Sequence, residues 1–221
     1  MVKSKKDLTT FYIVRHGQSE SNLYAQQNPD KPASQYGKFG ASLTEEGKEQ
    51  AHKVAERLRD VALDAIFSSD LVRAKETAEI IAQGRNLEVI TNDTIRERYF
   101  GDDMSNEKKR EIEKAIDALN EKEKFAFRYF PHGESGYDVI NRFKKFLDEV
   151  IKVYNGKKVL IVNHGYVMRS FLIHEGFAKY DELRGGSITN AGYFVVETDG
   201  KLFKVTKTFG ISKNRRTDDE E

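Results

Sequence analysis

The 221-residue chain has no cysteine, no tryptophan, three prolines and three methionines. Without thiols it can form no disulfide, no thiolate nucleophile and no cysteine-based zinc site. Long apolar runs are missing too. Met1 to Thr10 is basic and polar, and the apolar run behind it, Phe11 to Val14, is four residues long. A membrane span takes about 20 apolar residues, and a secretory signal also needs a longer stretch. The expectation is a soluble, cytoplasmic protein with no membrane partner. Neither sign of charge dominates: 37 basic residues face 36 acidic ones, for a net charge of +1. There is no global field to gather nucleic acid, so none is expected as a partner. The five histidines never take the His-Glu-x-x-His spacing, and no glycine-rich nucleotide loop occurs. No metal and no cofactor is therefore expected.

What remains is ordinary material for a core, with 38% hydrophobic and 11% aromatic residues. Strand-like runs fall at 10–14, 65–68, 88–91, 159–163, 193–198 and 202–208. Between them lie helical repeats such as Ala51, Val54, Ala55 and Leu58, then Ile112, Ala115, Ile116 and Leu119, then Val139, Ile140, Phe143, Leu147, Val150 and Ile151. Alternating strands and helices predict a mostly parallel sheet covered on both faces, a three-layer α/β/α sandwich. The last two strands read as a hairpin turning at Asp199-Gly200. One domain is expected over residues 1–211, with an insert at 101–135, and Ser212 onward reads as a disordered tail. Residues 24–42 show no periodicity and read as a long loop.

Two of the apolar runs lead to a histidine. Phe11–Val14 ends in Arg15-His16-Gly17, and Val159–Val162 leads through Asn163 into His164-Gly165. Carboxyl ends of parallel strands converge on one crevice, so imidazoles 148 positions apart are expected to meet. A neutral imidazole is a good nucleophile towards phosphorus. Arg15 can fork onto two phosphate oxygens. Gly17 clears space for an anion to approach the backbone, and Gln18, Ser19 and Asn22 add neutral donors. A lone His16 would read as a solvent-capped strand end; in this company phosphoryl chemistry is the stronger reading. From the residues alone, Arg73 reads as a solvated helix arginine and Glu97, between Arg96 and Arg98, as part of a surface ion-pair cluster. His52 and His174 read as helix residues. Ser135 reads equally as a helix cap or a phosphate donor.

The stretch Arg15-His16-Gly17-Gln18-Ser19-Glu20-Ser21-Asn22 resembles the signature of the histidine phosphatase superfamily, the phosphoglycerate mutase-like proteins. "SLTEEGKEQA", "IFSSDLVRAKETAEII", "IRERYFG" and "VLIVNHGYVMRSFL" resemble its later blocks, in the same order. The resemblance implies a phosphoglycerate mutase-like fold, with His16 attacking phosphorus to become a phosphohistidine and Glu97 as general acid and base. It also implies that Arg15, Arg73, Asn22 and His164, with Gln18 and Gly165 beside them, bind the phosphoryl group.

Hydrolysis and mutase chemistry can share all of these residues. Cofactor-dependent mutases of the family carry "ERHYG" where this chain has "ERYFG"; "HGESGYDV" and "ITNAGYFVVE" also look more like phosphatases. A phosphomonoesterase acting on a small phosphorylated metabolite is therefore expected. A phosphoglycerate mutase is the alternative, and a silent binding protein on the same fold the third reading. Tyr24, Tyr36, Phe39, Tyr99, Phe100, Phe127, Tyr129 and Phe130 are candidate walls for the leaving group, although core packing is the commoner fate of such residues, above all for Phe127 and Phe130.

Overall fold

The structure, a computed structural model, describes residues 8–28, 31, 40–101 and 106–213. Tyr36, Phe39, the side chains of Lys108, Lys109 and Arg110, and the tail beyond Lys213 lie outside the described residues.

Central strands are the most apolar. β2 (Ala65–Ser69) is buried throughout, and β4 (Lys158–Asn163) is buried at every residue after the first, as strands covered on both faces must be. With β1 (Thr9–Arg15), β3 (Val89–Asn92), β5 (Ile188–Thr198) and β6 (Phe203–Ile211) they form one sheet in the order β3-β2-β4-β1-β5-β6. The first four strands in that order pair in parallel, and β5 and β6 run as an antiparallel hairpin beside β1. The sheet is thus mixed but mostly parallel.

Side chains alternate across it. Phe11, Ile13 and Ile161 point to one core, against α6 (Gly136–Tyr154) and α7 (Gly165–His174). Val14, Ile66 and Val162 point to the other, against α2 (Glu45–Arg57) and α3 (Val72–Ala82). One helix in each layer starts on a side-chain cap: Thr44 Oγ1 accepts the Gly47 N–H of α2, and Ser135 and Asp138 form a reciprocal capping box on α6. Ser135 is therefore a helix cap. α4 (Asn106–Asp117) and α5 (Glu121–Ala126) occupy the 101–135 segment.

Two expectations need correction. Residues 24–42 are not loop from their start, because α1 (Glu20–Gln27) runs into them. It buries no residue and so has no apolar stripe to read; a capping box between Ser19 and Asn22 starts it. Strand β5 begins at Ile188, five residues earlier than the pattern indicates. Between Ile188 and Tyr193 the register slips and Ala191 takes a φ of 54°, which breaks the alternation that marks a strand. Among the described residues no helix is long and apolar enough to cross a membrane.

Candidate active site

The parallel register of β1 and β4 sets Arg15 opposite Asn163, so the next residues, His16 and His164, emerge side by side. Their ring centroids are 5.1 Å apart at an interplanar angle of 62°. The His16 N–H donates to the Asn163 carbonyl at 3.0 Å, which continues the ladder to the point of the crevice. Both rings are buried, His164 completely.

The His16 ring is held at both nitrogens. Nδ1 lies 2.7 Å from the Gly17 carbonyl oxygen, which can only accept, so Nδ1 carries the proton. Nε2 is then a lone pair, and it accepts from Arg73 Nε at 3.2 Å. Burial, and then the charges of Arg73 and Arg15, hold the His16 pKa well below 6.5. Burial also depresses His164, helped by Arg73, His16, Arg142 and Arg15. Both imidazoles are neutral near pH 7.

Arg73 is 8% exposed, contrary to a solvated surface arginine, because the first turn of α3 turns it inward onto His16. The Thr77 hydroxyl donates to the Arg73 carbonyl at 2.7 Å and accepts the Gly17 N–H at 3.0 Å, tying α3 to the loop after β1. Arg15 Nη1 donates to the Ile188 carbonyl. Its Nε, and both ring nitrogens of His164, are buried without a hydrogen-bond partner among the described residues. Buried polar groups are seldom left so, and here they cluster. Gly165 lets Arg15 lie close: a Cβ there would sit 3.3 Å from Arg15 Nε.

Glu97 reaches the same place from the other side. Its Oε1 accepts the Arg98 N–H at 2.8 Å, and its Oε2 accepts the Tyr166 N–H at 3.3 Å, in the first turn of α7. The surface ion-pair reading fails, since Arg96 pairs with Asp70 and Arg98, 4% exposed, donates to the carbonyls of Glu134 and Phe127. The carboxylate of Glu97 opposes the lowering by burial of both Arg15 and Arg73.

Two sequence expectations find other uses. Gly17 serves a close approach of backbones: a Cβ there would lie 2.4 Å from the Gly47 carbonyl oxygen, and one on Gly47 would lie 2.0 Å from that of Gln18. Gln18 turns to α2, where its Oε1 accepts from Thr44 Oγ1 at 2.8 Å. Asn22 joins the site through Asn190, which the sequence did not single out. Asn190 Nδ2 donates to the Asn22 Oδ1 at 3.2 Å and to the His16 carbonyl at 3.3 Å. The residue lay within the block "ITNAGYFVVE", but no local pattern marks a bond across 174 positions.

A cavity of about 630 Å³ opens above Arg15 and Glu97, walled by Phe100, Tyr129, Tyr166 and Tyr180. Phe100 and Tyr129 were expected there; Tyr166 and Tyr180 were not. Phe127 and Phe130 are half-buried beside this wall rather than in the core. Phe127 packs edge-on against Tyr129 and Phe130 stacks on His132. Arg169 and Arg184 also line the cavity. Arg169 donates to the carbonyls of Leu183 and Tyr180, and Arg184 faces Asp117 and Asp181. Among the described residues no group of three or more histidines and carboxylates is arranged to hold a metal ion.

The model of the histidine phosphatase superfamily (branch 1) matches residues 11–209. The probable phosphoglycerate mutase GpmB of Proteus mirabilis is 32% identical, over 88% of this chain and 94% of its own. The uncharacterized phosphatase PhoE of Bacillus subtilis is 30% identical, over 94% and 97%. Among solved structures, Bacillus stearothermophilus YhfR superposes with a TM-score of 0.71 at 27% identity, covering 90% of this chain and 95% of that one.

Proposed function

The chain belongs to the histidine phosphatase superfamily, and from that premise we propose that it is a metal-independent phosphomonoesterase working through a phosphohistidine at His16. The observation that carries this reading is the tautomer lock. The Gly17 carbonyl accepts a hydrogen bond from Nδ1–H and so keeps the proton on Nδ1, leaving the buried Nε2 lone pair available at neutral pH among guanidinium groups.

Nε2 attacks phosphorus as the ester P–O bond breaks, and Arg73 passes its hydrogen bond from Nε2 to a phosphoryl oxygen. Glu97, as the acid, gives its proton to the leaving oxygen. In the second half, the Glu97 carboxylate takes a proton from water, the water oxygen bonds to phosphorus and the N–P bond breaks. Phosphate leaves, and His16 is neutral again. Arg15, Arg73, His164 and Asn22 hold the phosphoryl oxygens, supplying the positioning and positive potential that this chemistry mainly requires.

The curated relatives carry both mutase and phosphatase names. Hydrolysis is favoured by the cavity wall. A phosphoglycerate would need a cation for its carboxylate, yet among the described residues of the wall Arg169 donates to carbonyls and Arg184 faces two aspartates. The aromatic wall suits a small organic leaving group better.

The test is phosphate release, with EDTA present, from a panel of aryl, sugar and amino-acid phosphates and phosphoglycerates, by the wild type and His16→Ala. Release by the wild type, an acid-labile labelled enzyme after rapid quenching, and a loss of roughly 10⁴-fold or more in the variant are expected. Turnover by His16→Ala would sink the mechanism, and isomer exchange without release would make the protein a mutase.

A further inference from the structure

Residues 96–101 belong to no helix or strand, yet they must hold the Glu97 carboxylate to hydrogen-bond accuracy. Two side chains outside the catalytic set do most of the holding. Arg142 Nη1 donates to the Thr94 carbonyl at 2.6 Å, and its Nη2 donates to the Glu97 carbonyl at 3.3 Å. The same guanidinium forks onto Glu134, Nε to Oε1 at 2.7 Å and Nη2 to Oε2 at 3.0 Å. Glu134 completes the hold from its own side. Its Oε2 accepts the Tyr99 N–H at 2.8 Å, its N–H donates to the Tyr99 carbonyl at 2.7 Å, and its carbonyl accepts from Arg98 Nε at 2.7 Å.

The bonds therefore grip the chain before, at and after Glu97. Both gripping residues belong to one rigid body: Glu134 precedes the Ser135 cap of α6, and Arg142 lies on that helix two turns further on. The pair is mostly shielded, with side chains 21% and 23% exposed, so water competes little for the fork.

We propose that Glu134 and Arg142 are positioning residues for the general acid, fixing the segment from which Glu97 addresses the leaving oxygen. This rests on the acid role given to Glu97 above. Neither residue lines the cavity; both act on Glu97 through the backbone, and the charge of Arg142 also helps keep His164 neutral. A positioning defect has its own signature. An ester whose leaving group departs unaided tolerates a misplaced acid, whereas one that needs a proton does not.

Two aromatic esters separate the cases: 4-nitrophenyl phosphate, whose leaving group is a stable phenolate, and benzyl phosphate, whose leaving group is an alkoxide that needs a proton. Wild type, Glu97→Gln, Arg142→Ala, Glu134→Gln and the double variant Arg142→Ala/Glu97→Gln would be compared on both. Arg142→Ala is expected to lose roughly 10²-fold in kcat on benzyl phosphate, with little change in KM, and less than about threefold on the nitrophenyl ester. Glu134→Gln, which preserves shape and serves if Arg142→Ala does not fold, should shift the same way. The double variant should be no slower on benzyl phosphate than Glu97→Gln alone, because a misplaced acid cannot be lost twice. Equal losses on the two esters, or additive losses in the double variant, would overturn the proposal. If Glu97→Gln itself slows both esters alike, the acid role has failed; if it is selective while Arg142→Ala and Glu134→Gln are not, only the positioning role has failed.

Discussion

Two neutral imidazoles buried against arginines make protonation a cost to the folded state. Both histidines have pKa values pushed well below 6.5. As pH falls below about 6.5 the unfolded chain takes up protons that the folded chain refuses, so stability is lost on the acid side and is level above it. The slope approaches about 1.4 kcal/mol per pH unit for each histidine. We expect urea midpoints to fall from about pH 7 to about pH 5 more steeply for the wild type than for His164→Asn. Equal slopes would show that His164 is not kept neutral. His16 and His164 were legible because an apolar run followed by a histidine is a local pattern with a known geometric outcome. Arg73, Glu97 and Asn190 were not legible from pattern. Their inward turns depend on the packing angle of α3, on two bonds to Glu97 from Arg98 and Tyr166, and on a hydrogen bond across the whole chain. Resemblance supplied the first two; nothing supplied the third.

At the level of elements, the helix ends carry information that periodicity does not. Ser135 could be read from sequence as a cap or as a phosphate donor, and the structure gives its hydroxyl to the N–H of Asp138 within a capping box. Ser135→Ala is expected to cost about 1 kcal/mol in stability, with KM for any accepted ester unchanged. A rise in KM without a stability loss would return Ser135 to the phosphate site. The long amphipathic α6 and the apolar β4 were legible because each buries a regular stripe or run. Helix α1 was not, since nothing in it is buried, and the start of β5 was hidden by a left-handed Ala191.

Across the whole molecule, the sheet separates the two halves of the proposed chemistry. The face covered by α2 and α3 supports the nucleophile, through Arg73, Thr77 and the Gly17–Gly47 approach. The face covered by α6 and α7 supports the acid, through Arg142 and the Tyr166 amide. Ile81→Ala and Phe143→Ala both empty space at fully buried positions, at about 2–5 kcal/mol each. Assayed where both stay folded, Ile81→Ala should slow both esters alike, and Phe143→Ala should slow benzyl phosphate by roughly tenfold more than the nitrophenyl ester. The reverse pattern would mean that the two faces are not independent supports.

The strand order has a consequence in time. β4 is the fourth strand to be synthesised, yet it lies between β2 and β1. A growing chain that has reached Gly156 already carries Arg15, His16, Arg73 and Glu97, but no strand pairing joins the strand bearing His16 to the one that leads into Arg73. When β4 slots into the gap it zips the sheet shut and delivers the second imidazole in the same movement. The site is therefore completed only by the last part of the chain, which brings His164 behind β4 and then, on β5, Ile188 to Arg15 and Asn190 to Asn22 and the His16 carbonyl.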